Sequence, residues 1–377
     1  MFKEYSEKNH IELPALTIIQ GGGTVKREDS DRNLMYDESN LSNYKMVRKD
    51  DFIVHLRSFE GGLEKSSLDG IISPAYHTFH SDVADSRFYY PYFRSHEFIK
   101  YKLVPHVYGI RDGRSIDIDG MKTIEIPYTS LEEQRRIGDY LESLDHLITL
   151  HQRECEQAKK YKKYMLQKMF PQNGSNVPEI RFSGFTYAWE QRKLPEFVTF
   201  YNGQTYTPDD VQESGTLVLR SSNVKNGEIV DADNVYINPE IASADNVQEG
   251  DIIVVVRNGS RALIGKHAQI KDPKPNTVIG AFMSGMRSEH SSFVNALLDT
   301  SAFENEIAKN MGATINQITG YMFSKMEFVI PTDDEQEKIG EYFANLDHLI
   351  TLHQHKPIQQ IIYRNNQQFY NVYFGRR

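Results

Sequence analysis

The sequence predicts an α+β protein with two similar lobes and two long helices that pack along a shared apolar seam. A stretch of 20 residues occurs twice, as EQRRIGDYLESLDHLITLHQ at 133–152 and EQEKIGEYFANLDHLITLHQ at 335–354, and 14 of the 20 aligned positions are identical. Around these copies, residues 1–128 (the first lobe) and 181–332 (the second lobe) carry short β-branched runs bounded by turn residues, which is an α+β pattern. A repeat this long indicates two similar supersecondary units in one chain.

Within each copy of the 20-residue stretch, apolar residues recur at steps of four and three. This spacing predicts a narrow stripe along a helix, which is the seam of a coiled coil rather than a broad globular face. The simplest arrangement packs the two seams against each other. The predicted seam residues are Ile137, Leu141, Leu144, Ile148, His151, Ile339, Phe343, Leu346, Ile350 and His353.

The first helix is predicted to occupy most of residues 129–170. Ser130 is a candidate N-cap, and Pro171 ends the helix. Over Leu131–Met169 the helix would be about 58 Å long. Residues 171–180, which follow it, are a linker by composition.

The second helix is predicted to be shorter, over residues 333–356. Pro357 stands where the four-three stripe needs its next seam residue, and proline removes a backbone donor and clashes with the preceding turn. We therefore expect this helix to end near His355, at a length of about 30 Å. Residues 357–377 then form a divergent C-terminal tail without a counterpart in the first copy.

The lobes also look duplicated, more weakly than the helices. VRKDDFIVHLR at 47–57 aligns with VQEGDIIVVVR at 247–257, with five of 11 positions identical and an arginine at the end of each. Phe88 also aligns with Phe293, at an offset of 205 residues compared with 200 for the preceding block. This pattern predicts that the two lobes share one topology.

Composition limits the class of protein. A chain of 377 residues is long enough for two or three domains, and its net charge of −9 disfavours nucleic-acid binding by bulk electrostatics, so any DNA contact must use local patches or a partner's charge. No apolar run is long enough to cross a bilayer, and the chain start lacks a signal-peptide core. The single cysteine, Cys155, is expected to be a small core residue on the seam. We expect a cytoplasmic protein without a membrane partner.

No motif in the sequence has the spacing and residue types that catalysis or metal binding needs. NGSRALIGKH at 258–267 has five residues between its glycines where a phosphate-binding loop needs four, and it ends in histidine rather than Ser or Thr. SPAY at 73–76 lacks the Asp or Asn that holds the target amine in amino-methyltransferases. His151 and His353 are interpreted as paired polar residues that set the register of the seam, rather than as metal ligands. The sequence therefore predicts no catalysis by this chain alone.

Several blocks resemble one protein family. RFSGFTYAWEQRKL (181–194) and the stretch from Ile-Pro to Met-Phe-Pro at 126–171 look like signatures of the specificity (S) subunit of type I restriction–modification systems. Further blocks are similar to that family's target recognition domains, at 47–62, 69–76, 215–230 and 247–268. The resemblance covers nearly the whole chain.

The resemblance implies a non-catalytic, DNA-reading subunit of a type I restriction endonuclease and adenine methyltransferase complex. Each lobe would be a target recognition domain that reads half of a bipartite, asymmetric site in double-stranded DNA. The two helices would form an antiparallel coiled coil that separates the lobes in a pseudo-two-fold internal repeat and binds two methyltransferase (M) subunits. Restriction and translocase (R) subunits would join them. S-adenosylmethionine, ATP and magnesium would be used by these partners, with no cofactor in this chain.

Two departures from the family pattern leave alternatives open. The first lobe lacks a counterpart of the block that includes Trp189, so we expect it to be short at its N-terminus, and the second helix lacks the basic end that 159–170 gives the first. One alternative is a truncated or inactive specificity-subunit variant. A second is a non-enzymatic coiled-coil adaptor whose lobes bind protein. A third, a stand-alone nuclease or methyltransferase, should show turnover with S-adenosylmethionine or magnesium.

Base reading needs Arg, Lys, Asn, Gln or Ser on loops that reach the edges of bases. Arg57 and Arg257 rank first, because they follow equivalent predicted strands and open equivalent loops. The alternative for each is an ordinary surface arginine or an ion pair. The other DNA-binding candidates are polar residues on predicted loops and turns: Ser58, Lys65, Arg111, Arg114, Gln204, Arg220, Ser221, Ser222, Asn223, Asn258, Ser260, Arg261, Lys266, Asn316 and Gln317.

Overall fold

The computed structural model describes residues 1–30, 38–109, 114–172, 174–311 and 316–373, and the side chains of 38, 39 and 355–373 fall outside this description. The chain folds into two units, Met1–Thr149 and Leu150–Arg377, and the boundary falls inside a long helix. In the described part of the chain, no helix combines the length and apolar character that crossing a membrane requires.

The first unit contains the first lobe and the first half of the long helix. Its strands are β1 (Lys3–Tyr5), β2 (Leu16–Ile19), β3 (Gly23–Lys26), β4 (Lys45–Val47), β5 (Phe52–Val54), β6 (Glu64–Lys65), β7 (Gly70–Ile72), β8 (His77–His80), β9 (Val107–Tyr108) and β10 (Ser115–Ile116). Its helices are α1 (Ser58–Gly61), α2 (Ser86–Phe93), α3 (Ile118–Met121) and the start of α4 (Leu131–Met169).

The central sheet of the first lobe is antiparallel, in the order β1-β8-β5-β6. Successive side chains of a strand point to opposite faces of the sheet. In β5, Phe52 and Val54 therefore lie in an apolar cluster with Tyr89 of α2, while Ile53 lies in a separate cluster with Leu16. Because both faces are covered, β5 is a continuous apolar run rather than an alternating one.

The second unit contains the second half of α4, the second lobe and a final helix. Its strands are β11 (Glu190–Lys193), β12 (Thr199–Asn202), β13 (Val211–Gln212), β14 (Thr216–Leu219), β15 (Val224–Lys225), β16 (Glu228–Ile229), β17 (Val235–Ile237), β18 (Ile252–Val255), β19 (His267–Gln269), β20 (Thr277–Ile279), β21 (Met283–Arg287) and β22 (Glu327–Ile330). Its further helices are α5 (Ser291–Leu298), α6 (Ser301–Asn310), α7 (Gly320–Phe323) and α8 (Asp333–Tyr373).

The central sheet of the second lobe has the order β12-β21-β18-β19, which is the order of the first lobe. In β18, Ile252 and Val254 pack with Phe293 of α5, and Ile253 and Val255 pack on the opposite face. The predicted alignment of 47–57 with 247–257 thus joins equivalent strands. A second sheet, in the order β13-β17-β14-β20, contains a parallel pair, β14 and β20.

The start of each long helix is fixed by a buried glutamine at the same position of the repeat. The side-chain amide of Gln134 donates to the Thr129 carbonyl over 2.7 Å, and that of Gln336 donates to the Pro331 carbonyl over 3.0 Å. Both glutamines are nearly inaccessible to solvent. A buried amide must be hydrogen-bonded, so this residue holds each helix against the segment that leads into it.

One turn further along, a glycine of each helix packs against the start of a lobe helix. A Cβ atom on Gly138 would lie 3.1 Å from Cβ of Arg87 in α2, and one on Gly340 would lie 2.7 Å from the backbone nitrogen of Phe293 in α5. The repeat therefore preserves the contact as well as the sequence.

Helix α4 has the predicted bounds, and the Glu133 amide donates to the Ser130 hydroxyl at its start, as predicted. The predicted end of the second helix near His355 is wrong, because α8 continues through Pro357 to Tyr373 and is about 60 Å long. A proline inside a helix costs roughly 3 kcal/mol, which weakens a helix without necessarily ending it. Helix α2 likewise has Pro91 in its interior.

Within the second unit, α4 and α8 contact each other along the repeated stretch. Three contacts join them: His151 with His353 (ring centroids 5.8 Å apart), Tyr161 with Tyr342 (hydroxyl oxygens 3.0 Å apart) and Phe170 with Phe343 (ring centroids 6.0 Å apart). Residue numbers rise along α4 while those of the partners fall along α8, so the helices are antiparallel here.

The predicted seam residues differ in burial. Ile339 and Phe343 are fully buried in the core of the second lobe, and Cys155 is buried with its Sγ atom 4.0 Å from the Ile350 carbonyl oxygen. The remaining seam residues are half-buried: Ile137, Leu141, Leu144, Ile148, His151, Leu346, Ile350 and His353.

One strand of the second lobe has no equivalent in the first. β22 pairs antiparallel with β11 and ends at Ile330, directly before Pro331, whereas residues 123–126, which end at the corresponding Ile126 before Pro127, have no strand partner among the described residues. Residues 123–126 therefore form no strand ladder in the described part of the first lobe. A lone extended segment has no ladder to join, and the block that supplies β11 occurs once in this sequence.

Candidate nucleic-acid interface

Three loops of the second lobe meet where β14, β18 and β20 end. Because β14 and β20 are parallel neighbours, the loops that follow them leave the sheet side by side. The side-chain amide of Asn258, after β18, donates to the Ser221 hydroxyl over 3.2 Å, and Nζ of Lys266 donates to the Ser221 carbonyl over 3.4 Å. The sheet thus brings together polar residues that are about 40 positions apart in the sequence.

Arg257 is exposed at the centre of this group. Its guanidinium carbon lies 5.0 Å from the centroid of the Phe282 ring, and its backbone bridges to Gln317. A guanidinium held over an aromatic face keeps its five donors available while its orientation is restricted. This is a suitable state for a side chain that has to reach a base edge or a phosphate.

Phe282 is a candidate contact residue that the sequence reasoning missed. It is 55% exposed, which is unusual for a phenylalanine between a fully buried strand, β20, and a mostly buried one, β21. The signal in the sequence is an aromatic residue directly after a Gly-Ala turn that follows a buried strand. Exposed aromatic rings stack on bases in many nucleic-acid-binding proteins.

A groove of about 740 Å³ opens beside these loops. Ser221, Ser222 and Phe282 line it, together with apolar residues, and the charged side chains on its wall are Arg220 and Asp233. Arg220 donates to the Asp233 carbonyl, so part of its donor capacity is used within the protein. With one arginine and one aspartate among its lining residues, the groove is not strongly basic, in agreement with the net charge of the chain.

The other predicted residues of the second lobe lie on the same loops. Asn316 donates to the Gly259 carbonyl over 3.1 Å and so ties the loop after β18 to the segment before α7. The exposed candidates are Ser222, Arg257, Ser260 and Arg261, and the half-buried ones are Arg220, Ser221, Asn258, Lys266, Asn316 and Gln317.

Three predicted contact residues are corrected by the structure, because their polar atoms are used inside the protein. The Ser58 hydroxyl, fully buried, accepts from the His55 amide over 2.9 Å. Asn223 is also fully buried, and its side-chain amide donates to the Ala232 carbonyl over 2.7 Å. Gln204 is 7% exposed, and its oxygen accepts from two backbone amides of the 243–244 segment. These side chains shape loops and are not available to DNA.

In the first lobe the candidates are sparser. Arg57 is exposed at the start of α1, and the guanidinium carbon of Arg114 lies 5.5 Å from the centroid of the Phe59 ring on that helix, so α1 brings two arginines to one place. Lys65 is half-buried and pairs with Asp50 at 2.7 Å. Arg111 lies outside the described residues.

A mostly buried charge cluster fixes the second lobe on the two helices. Nζ of Lys162 in α4 lies 2.6 Å from carboxylate oxygens of both Asp299 and Asp347, and His267 Nε2 lies 3.4 Å from Asp299. Burial opposes the charge on Lys162, but the two carboxylates outweigh it and raise the pKa of its ammonium group. Burial alone would raise the pKa of Asp299, but His267 and Lys162 hold it well below its usual range.

Asp347 is in the opposite state, because burial outweighs the attraction of Lys162 and raises the pKa of its carboxyl group. Two carboxylates that share one ammonium group cannot both be fully compensated. The cluster joins α4, α8 and the end of α5, so it sets how the helix pair carries the interface of the second lobe.

Comparison with known proteins connects this geometry to a family. A family model for the type I restriction modification DNA specificity domain (Methylase_S) matches residues 187–361. The curated type I restriction enzyme MjaVIII specificity subunit of Methanocaldococcus jannaschii is 24% identical over 252 residues, which are 63% of this chain and 58% of that subunit. The match thus spans little more than half the length of this relative.

Among solved structures, the crystal structure of a type I restriction–modification system S subunit from M. genitalium has a TM-score of 0.60 and 15% identity, over 97% of this chain and 94% of that one. At this level of identity the likeness shows the fold alone. The specificity-domain match covers β11 to the first part of α8 and so includes the loops described above. Residues 187–361 of this chain thus match the type I restriction modification DNA specificity domain, and the whole chain is similar in fold to a solved S subunit of such a system.

Proposed function

We propose that this chain is the DNA sequence-recognition subunit of a type I restriction–modification complex. Each lobe reads one half of a bipartite, asymmetric site, and an antiparallel coiled coil of α4 and α8 sets the spacing between the halves. The subunit is not itself an enzyme. It positions two methyltransferase subunits, which use S-adenosylmethionine, and restriction subunits, which use ATP and magnesium, on double-stranded DNA in the cytoplasm.

The observation that carries the proposal is the duplication of a lobe together with its helix contact. Both lobes have a four-stranded antiparallel sheet of the same order, and in both a buried glutamine and a tightly packed glycine of the helix repeat meet the lobe. Two similar DNA-binding lobes, each attached to a long helix, are suited to two half-sites of DNA that lie at one fixed distance.

The loop chemistry of the second lobe supports reading rather than catalysis. Arg257 and the hydroxyl and amide groups around Ser222 and Asn258 are donors and acceptors of the kind that pair with base edges. Among the described residues, the groove beside them contains one carboxylate, that of Asp233, and no pair of titratable groups arranged for acid–base work. The first lobe offers Arg57 and Arg114 for the same task.

The acidic balance of the chain predicts how it binds. With a net charge of −9, most of the phosphate contacts have to come from partner subunits, and this chain supplies sequence preference more than affinity. We therefore expect weak DNA binding by the isolated chain and a large gain in affinity on addition of the methyltransferase subunit.

The test is a gel-shift and methylation experiment with the full chain and a type I methyltransferase subunit encoded beside it. Sequence-dependent, salt-sensitive binding of duplex DNA, and methylation of one bipartite motif across a genome, are the expected results. Binding that ignores sequence, or methylation that is unchanged when the chain is omitted, would refute the proposal.

The net charge of −9 is also the observation that favours the second candidate, a coiled-coil adaptor whose lobes bind protein. The same experiment separates the two functions. An adaptor would assemble with the methyltransferase subunit without conferring any sequence preference on it.

A further inference from the structure

His151, Glu154 and His353 form a cluster of ligating side chains where α4 meets α8. One nitrogen from each histidine and one carboxylate oxygen lie within 4.8 Å of one another. His151 Nδ1 is 3.3 Å and His353 Nδ1 is 3.2 Å from Oε2 of Glu154. Ligands about 2.0–2.1 Å from a tetrahedral zinc ion are about 3.4 Å apart, so two of the three separations already match those of a zinc site.

The repeat explains why two histidines meet here. His151 and His353 are the same position of the two 20-residue copies, and the antiparallel contact brings these equivalent positions face to face, with ring centroids 5.8 Å apart. Glu154 has no such equivalent, because the second copy has lysine at position 356. Among the described residues, the cluster therefore has one carboxylate, that of Glu154.

A polar atom in the cluster lacks the partner that its burial calls for. His151 Nδ1 is shielded from solvent and has no hydrogen-bond partner among the described residues. Oε2 of Glu154 lies 3.3 Å from it but is not in hydrogen-bonding geometry. Leaving a buried ring nitrogen without a partner costs free energy, which coordination of a cation would recover. The side chains of the three residues remain 29–41% exposed, so an ion can enter from solvent.

From these observations we propose that His151, Glu154 and His353 bind one divalent transition-metal ion, with zinc as the best match, and that the ion clamps the two helices in register. Two imidazoles and one carboxylate suit Zn²⁺, Co²⁺ or Ni²⁺, whereas Mg²⁺ and Ca²⁺ prefer all-oxygen sites. Three protein ligands leave a fourth position for water. This proposal departs from the interpretation of the sequence, in which the two histidines are a polar pair that sets register rather than metal ligands. It does not depend on DNA reading.

The test uses the full chain after dialysis against a chelator, titrated with zinc chloride in a calorimeter and, in parallel, with cobalt chloride under visible absorption. Wild type should bind one zinc ion at this site and give the intense absorption of four-coordinate cobalt. His151→Asn, His353→Asn and Glu154→Gln should each weaken zinc affinity at least tenfold and lose that absorption. Zinc should also raise the thermal midpoint of the wild type but not of the His353→Asn variant.

The matched controls are His146→Asn and His348→Asn, which change the exposed histidine of the same repeat on each helix. They should keep the stoichiometry, the affinity and the cobalt spectrum, and circular dichroism should show that every variant keeps its helix content. No zinc binding by the wild type would overturn the proposal. So would an equal loss of affinity in the control variants.

Discussion

The two lobes hold the same aspartate in the same place with different cations. In the first lobe, Asp51, just before β5, accepts from the Tyr5 hydroxyl and from His80 Nδ1. In the second, Asp251, just before β18, accepts from the Tyr201 hydroxyl over 2.7 Å and from the Arg287 guanidinium over 3.0 Å.

Strand register makes His80 and Arg287 equivalent, because each faces the residue two positions before its tyrosine. Each lobe has a buried aspartate carboxylate beside its central sheet, and a buried carboxylate needs a cation near it. That cation is a titratable histidine in the first lobe and a permanently charged arginine in the second. One topology therefore tolerates two electrostatic solutions, and only the solution in the first lobe depends on pH near neutrality.

The largest expected change in stability concerns the second unit, which contains the charge cluster around Lys162. Lys162→Met should destabilise the second unit by about 3 kcal/mol, since it leaves Asp299 and Asp347 partly buried without their cation. Fluorescence of Trp189, the single tryptophan, which is buried in this core, measures the shift of the denaturation midpoint.

Lys163→Met is the matched control, because this neighbouring lysine is exposed. It should change stability by less than about 0.5 kcal/mol. If both variants had the same midpoint, the cluster would not hold the lobe on the helices.

The glycine contacts sharpen the comparison further. Gly340→Ala should destabilise its unit by about 1–2 kcal/mol despite the better helix propensity of alanine, because the new Cβ meets the backbone nitrogen of Phe293. Gly138→Ala should cost less, since the atoms nearest to its new Cβ are side-chain atoms of Arg87 and Asp85, at 3.1 Å and 3.2 Å, rather than backbone. Peptide-level hydrogen exchange, measured for each lobe as the temperature is raised, distinguishes the effects of the two variants. A loss of stability from Gly138→Ala as large as that from Gly340→Ala would contradict this prediction.

The cations of the two lobes predict different pH behaviour, because only His80 titrates near neutrality. Hydrogen bonding and attraction from Asp51 raise the pKa of His80, so its contribution to stability is present below the pKa of an unfolded histidine, about 6.5, and is lost as pH rises through the higher folded value. His80→Arg should remove this loss, and Arg287→His should create one in the second lobe. Hydrogen exchange in β5 and β18, corrected for intrinsic rates between about pH 6 and pH 8, measures both. Identical pH dependence in the wild type and in His80→Arg would contradict this prediction.

The smallest effect concerns the strand that only the second lobe forms. Amides of β22 should exchange more slowly than those of residues 123–126, because β22 pairs with β11 in a ladder and 123–126 have no strand partner among the described residues. Peptide-level hydrogen exchange on the wild type is sufficient. Equal protection of the two segments would mean that something other than a strand covers the first.

The spacing of apolar residues, and the comparison of the two halves of the sequence with each other, predicted the long helix and the equivalent strands of the two lobes. The four-three stripe, with Ser130 and Pro171 at its ends, predicted a long helix over roughly Leu131–Met169, which is where α4 lies. The alignment of 47–57 with 247–257 joined strands that are equivalent in the two sheets. These features follow from the spacing of apolar residues along the chain, which the sequence displays directly.

Side-chain direction in loops could not be predicted in the same way. Asn223 and Ser222 are neighbours of similar polarity, yet Asn223 is fully buried with three carbonyl acceptors and Ser222 is exposed. Which of two such residues faces solvent depends on the loop geometry that distant strands impose. Glu154 joined the two histidines for a similar reason, because the helix pairing and not the local sequence brings it within reach of His353.

The central claim is that each lobe reads its own half of a bipartite site, and paired arginine variants test it most directly. The measurement is genome-wide methylation by the chain with its methyltransferase subunit, for Arg57→Ala, Arg257→Ala and the control Arg192→Ala, an exposed arginine on β11 that pairs with Glu190. We expect Arg57→Ala to relax one half of the motif and Arg257→Ala the other, each by about 1–3 kcal/mol of discrimination, and Arg192→Ala to leave both halves intact. Relaxation of the same half by both lobe variants, or of neither half, would contradict the account.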